Sequence, residues 1–185
     1  MGLDMYLNKK TYVGANYEHN KVEGKISLKK QENPIKVNLK RVTYIEEQMG
    51  YWRKANQIHN YFVANIQEGK DDCGDYDLSI EIVFDLLDRC KKVKESLSNS
   101  KTHFVKVKNR WNSEGDTFID VEVFSNTDLA QELLPTESGF FFGGTEYNKY
   151  YLETISNTIN ILEEILLEND NPEYLKEEHY YSSSW

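Results

Sequence analysis

The sequence predicts an α+β protein in which antiparallel β hairpins and sheet combine with about three main amphipathic helices in a single domain, residues 1–185. Three observations carry this. The first 45 residues alternate or are β-branched; from Tyr51 the apolar spacing lengthens to three and four; and a second pair of alternating runs lies between helical stretches, so strands and helices are grouped rather than interleaved. A chain of 185 residues that is 39% hydrophobic and 13% aromatic has enough apolar surface for one core.

Each element follows in order. "DMYLNKKTYV", "KVEGKISLKK" and "IKVNLKRVTYI" read as strands, with "QENP" turning between the last two. Tyr51, Ala55, Ile58, Phe62 and Ile66 recur on one helical face, and Gly69 supplies a stop. Ser79 is placed to cap a second helix with Glu81 in its first turn, and Val83, Leu86, Leu87, Cys90, Val93 and Leu97 form its buried stripe. "THFVKVKNRW" and "TFIDVEVFS" form a hairpin about "NSEGD". A short helix covers "NTDLAQELL" up to Pro135, and Leu152, Ile155, Ile159, Leu162 and Leu166 mark a long final helix ending near "ENDNP". The tail 171–185 is polar and aromatic and is expected to be loosely ordered, with Trp185 folding back as a plug the alternative.

Charge excludes some functions. The net charge of -9 argues against nonspecific nucleic-acid or anionic-membrane binding, which favours a basic surface. It is unevenly spread: residues 1–45 carry nine Lys/Arg against four Asp/Glu. That basic region is either a solvated hairpin or a seat for an anionic ligand or acidic partner. No apolar run approaches the ~18 residues of a membrane span and no signal-peptide core opens the chain, so a cytoplasmic protein is expected. Cys73 and Cys90 make no CxxC; Cys90 is expected in the core and Cys73 in a loop.

Two constellations carry chemistry. In "SGFFFGGTEY", Thr145 stands where a helix cap belongs, and Gly143 and Gly144 before it would let backbone N–H groups approach an anion. Phe140, Phe141, Phe142 and Tyr147 would then offer stacking surfaces to a base, the three phenylalanines alternating as in a strand. A buried strand with a Gly turn is the alternative, and the segment matches neither a P-loop nor GxGxxG. In "YWRKANQIHNYF", a helix burying Tyr51, Ala55, Ile58 and Phe62 sets Trp52, Asn56 and His59 on the adjoining stripe, with Arg53 and Asn60 further round. That stripe would supply a stacking plane, a bidentate anion contact and directional hydrogen bonds. An enzymatic reading takes His59 as a general base oriented by Asp71, Asp72 or Asp75, but no catalytic, metal-ligating or cofactor motif is assigned.

"GYWRKANQIHNYF", "DDC" and "ELLPTESGFFFGGTEY", with the opening "MGLDMYL" and closing "SSSW", resemble a group of small, largely uncharacterised proteins of bacteriophages and prophages. The resemblance spans nearly the whole chain, and "YWRKAN..IH" and "LLPT.SGFFFG.T.Y" are its specific blocks. It brings no catalytic assignment. It implies a setting in which small phage proteins counter host defence, some as sponges sequestering nucleotide signals such as cyclic nucleotides or cyclic ADP-ribose derivatives. The expectation is therefore a protein binding a nucleotide-like small molecule through Trp52, Arg53, Asn56, His59 and the 140–147 segment, without a cofactor. The alternatives are a protein-binding inhibitor or adaptor of a host defence protein and a nucleotide-degrading enzyme; a homo-oligomer is compatible with all three.

Overall fold

The computed structural model describes residues 2–13, 28–30, 32–108, 117–168 and 178–185. Its main sheet is antiparallel and four-stranded. β1 (Asp4–Tyr12) lies between β4 (Tyr44–Arg53) and β8 (Glu178–Ser184), and the short β5 (Tyr76–Asp77) pairs beyond β8. Alternation in β1 sends Met5 and Leu7 into the core, where their register partners are Trp52 and Gly50 on one side and Ser183 and Tyr181 on the other. The opposite face is polar and aromatic: Tyr6 meets Tyr51, and the Lys10 ammonium sits over the rings of Tyr44 and Tyr180. A bulge at Leu7/Asn8 shifts the β1–β4 register. At Gly50 an added Cβ would fall 2.8 Å from Ile161 Cγ2, so a glycine is what lets the final helix approach the sheet.

The helices cover the apolar face. They are α1 (Asn56–Asn65), α2 (Ile80–Ser98), α3 (Asp128–Leu133) and α4 (Lys149–Glu168). The α2 stripe from Val83 to Leu97 is buried as its spacing predicts, with Cys90 in the core and its thiol pKa pushed up by burial. Ile155, Ile159 and Leu162 of α4 pack into the same core. Two separate ribbons complete the fold: β2 (Leu28–Lys30) with β3 (Asn33–Ile35), and β6 (Thr102–Lys108) with β7 (Phe118–Phe124). A 3-10 turn covers Leu39–Arg41, so "IKVNLKRVTYI" is not the continuous strand expected. Only Ile35 falls in β3, with Asn33 and Pro34 of the expected turn, and only Tyr44 and Ile45 fall in β4. The expected "NSEGD" turn and residues 21–27 lie outside the described residues.

Two further expectations are corrected. Tyr51, Trp52 and Arg53 belong to β4 rather than to a helix, because pairing with Tyr6, Met5 and Asp4 satisfies their backbone and buries Trp52. The strand ends at Lys54, whose φ of 56° turns the chain while its N–H donates to Leu3 O at 2.8 Å, and α1 starts only at Asn56. The C-terminal residues 178–185 are not a loose tail. β8 fills the gap between β1 and β5, and Tyr181 stacks on Phe62 with ring centroids 4.2 Å apart and no exposed surface.

Candidate functional site

The segment from Pro135 to Asn148 is a loop held by side chains of α1. Asn56 is buried, and its Nδ2 donates to Phe142 O at 3.1 Å and Gly144 O at 2.8 Å while its Oδ1 accepts from Glu137 N at 3.0 Å. One amide thus fixes three backbone groups of the loop. Leu3 N donates to Phe141 O, Asn60 to Pro135 O, and Thr136 Oγ1 to Thr145 O, which ties the loop to the sheet, to the helix and to itself. Within it, Phe142 N donates to Gly139 O in a tight turn. The three phenylalanines therefore do not alternate as in a strand. Phe140 stands at the turn's corner with 96% of its surface exposed, Phe141 meets it edge to face at 4.9 Å, and Phe142 packs against the core.

Phe140 and Phe141 line a cleft of about 940 Å³ between this loop and the β6–β7 ribbon. The apolar wall opposite is Val107, Ile119 and Val121, which alternate onto one face of the ribbon. Lys54, Lys108 and Tyr150 complete the cleft's chemistry, with Glu146 a carboxylate at its side. Tyr150 donates its hydroxyl to Arg53 O at 2.6 Å, and burial raises its pKa, so it acts as a fixed ring with its proton retained. Lys54 is held in left-handed backbone against Gly143, itself at φ 92°; a Cβ on Gly143 would lie 3.0 Å from Lys54 Cβ. An unfavourable backbone region for a lysine, maintained by a glycine that fits it, marks a position over-determined by its surroundings.

The structure separates the predicted site residues. Gly143, Gly144, Phe140 and Phe141 line the cleft. Trp52 does not: it is in the core, donating Nε1–H to Thr158 Oγ1 at 2.9 Å. Arg53 lies on the surface and pairs with Asp4 at 3.5 Å. Asn56 and His59 meet the "GFFFGGT" segment from the helix side, Asn56 through the loop's backbone and His59 by edge-to-face contact with Phe142 at 5.2 Å. Thr145 is not a helix cap. α4 begins at Lys149, and Asn148 takes that role, its Oδ1 accepting from Tyr151 N at 3.1 Å. Gly143 and Gly144 thus precede the helix by too much chain to expose its first N–H groups to an anion at the glycines. Tyr147 packs on Tyr151 and accepts from Thr136 N.

Lys54, Lys108, Tyr150 and the ribbon's valines were missed by the sequence reading. The alternation of Val105 and Val107 with Lys106 and Lys108 did signal a one-sided apolar face, but nothing local pairs that face with a loop some thirty residues on.

Behind Phe142 a polar chain runs from the core to the surface. His59, almost fully buried, meets Tyr181 OH through Nδ1 at 2.7 Å and Asp71 Oδ2 through Nε2 at 3.1 Å, and the Trp185 indole donates to Asp71 Oδ1 at 3.1 Å. A carboxylate only accepts, so a neutral His59 carries its proton on Nε2 and accepts the Tyr181 hydroxyl at Nδ1. Burial raises the Tyr181 pKa well above its ordinary value, which keeps that hydroxyl a donor. Asp71 does orient His59, as the enzymatic reading supposes, but the ring's other partner is a hydroxyl sealed in the core. The neighbouring Asp72 is occupied within its loop by Lys70, Tyr76 and Gly74 N, and the first two hold its carboxyl down at about 2. Among the described residues, no group of three His, Cys, Asp or Glu is placed to hold a metal ion, and no helix is long and apolar enough to cross a membrane. The chain matches no protein-family model, no curated protein and no solved structure.

Proposed function

We propose that this protein binds a nucleotide-derived small molecule in the cleft between the 138–150 loop and the β6–β7 ribbon, sequestering it rather than converting it. The observation that carries the proposal is the Phe140 ring, 96% exposed on a loop whose backbone Asn56 clamps in place. An apolar ring held rigidly into an open cleft of ligand size gains stabilisation only when something covers it, and a stacked base supplies ~1 to 3 kcal/mol. Phe140 and Phe141 take the base, and Lys54, with Lys108 across the cleft, takes phosphate charge. Asn56 and His59 position the loop. The proposed setting is the cytoplasm of a bacterial host, where a phage or prophage product of this kind withdraws an immune signal such as a cyclic nucleotide.

The test is mass spectrometry of small molecules released on heat denaturation from protein purified out of cells with active nucleotide signalling, followed by calorimetry on the wild type, Phe140→Ala and Lys54→Ala. An unchanged nucleotide should be released. Phe140→Ala should weaken binding by ~1 to 3 kcal/mol with little change in melting temperature. No released nucleotide and no heat of binding would overturn the proposal, and a converted product would make the protein an enzyme.

One observation favours a second reading, an inhibitor or adaptor of a host defence protein. Phe104 and Phe118, 70% and 59% exposed, share the ribbon face that carries Lys106 and Asp120, opposite the cleft wall. Phe104→Ser should abolish capture of a stoichiometric host protein under that reading and leave nucleotide affinity unchanged under the first.

A further inference from the structure

A second, smaller cavity of about 390 Å³ adjoins the cleft and shares Asn148 and Tyr150 with it. Its volume is at the small end of ligand sites, suited to one ring system. Phe124 and Tyr150 supply flat apolar lining, and Glu122 supplies a carboxylate. Glu122 Oε1 accepts from Thr102 Oγ1 at 2.6 Å, which orients the group through a hydroxyl in the same cavity. A carboxylate has roughly four acceptor positions and no donor, so one such bond leaves both oxygens able to accept again. The group that matches two adjacent acceptors on a planar partner is a ring edge with two adjacent N–H donors. Among the bases, guanine presents N1–H beside its N2 amino group, whereas adenine presents a ring nitrogen acceptor beside one amino group.

We infer that the smaller cavity is a guanine-selective subsite, read by Glu122, for the second base of a dinucleotide whose first base stacks on Phe140. The inference rests on the nucleotide-binding reading above and narrows its ligand class. Tyr150 and Asn148 border both cavities. Glu122 is the register partner of Phe104, on the ribbon face away from Val107, Ile119 and Val121, so the phosphodiester between the two bases passes Tyr150 and Asn148, and Lys149 at the smaller cavity adds a cation.

The probes are the 5′-phosphorylated linear dinucleotides pApG and pApA, titrated calorimetrically into the wild type, Glu122→Gln and Phe140→Ala. Glu122 is exposed, so its isosteric variant should keep the wild-type melting temperature. The wild type should prefer pApG by roughly ten- to hundredfold, the range of a good bidentate base contact. Glu122→Gln, which turns one acceptor into a donor, should weaken pApG and strengthen pApA, because an amide's donor and acceptor match the ring nitrogen and amino group of adenine. Phe140→Ala should weaken both. Equal binding of the two probes by the wild type, or a preference that survives Glu122→Gln, overturns the guanine subsite alone. Failure of both probes to bind overturns the subsite, and the nucleotide reading falls with it only when heat denaturation also releases no nucleotide.

Discussion

Asn56 shows how much one side chain can organise. It has no charge and takes no part in the hydrophobic core, yet its two donors and one acceptor reach Phe142 O, Gly144 O and Glu137 N, three backbone groups of a part-buried loop. The direction of those bonds makes a sharp test possible. Asn56→Asp keeps the shape and replaces the donating amide with an oxygen, so two carbonyls face a carboxylate with nothing to donate. The variant should lose about 3 kcal/mol or more of stability at neutral pH, more than Asn56→Ala, because a buried charge without a donor is added to the lost bonds. Urea denaturation of the pair measures the order, and an aspartate variant as stable as the alanine one would show that the clamp has relaxed.

At the scale of the element, the "GFFFGGT" loop is governed by which of its glycines the backbone requires. Gly143 lies at φ 92°, with Lys54 Cβ 3.0 Å from where its own Cβ would be. Gly144 has no such constraint: an added Cβ would meet the end of the Glu146 side chain, which can swing away. Gly143→Ala should therefore cost about 1 to 3 kcal/mol and Gly144→Ala well under 1 kcal/mol, read from denaturation midpoints at constant slope. Because Gly143 seats Lys54, the first variant should also weaken binding of an anionic ligand in the cleft. Equal costs at the two positions would mean the left-handed turn is not a requirement of the loop.

Across the whole molecule, the sheet is closed by the chain's distant ends. β1 and β8 pair directly, Asp4 opposite Ser184, and Tyr181 joins the Phe62 stack, the His59 hydrogen bond and the Leu7 register in one place. Deleting residues 178–185 removes the strand between β1 and β5 and opens the core at Phe62. The truncated chain should lose its cooperative thermal transition and its near-ultraviolet circular dichroism. Retention of a sharp transition within a few degrees of the full chain would reduce β8 to an accessory strand.

What the sequence determined by itself was whatever period and local chemistry specify. The α+β class, the α2 stripe from Val83 to Leu97, α4, the β6 and β7 runs and β1 were all legible, because an amphipathic element writes its buried face into its own spacing. Of the expected stripe of Trp52, Asn56 and His59, the last two meet the aromatic–glycine loop and Trp52 does not, and Asp71 meets His59. Tertiary structure decided the rest. Tyr51 and Trp52 fit a helical period as well as a strand, and only pairing with β1 settled the choice; "EHYYSSS" looked like a tail until two strands, remote in sequence, left a gap that it fills. The cleft had the same origin. Val107, Ile119 and Tyr150 come from three separate elements and Lys54 from the turn after β4, and no short-range signal brings them together, since a cavity is a property of how elements pack and not of any one of them.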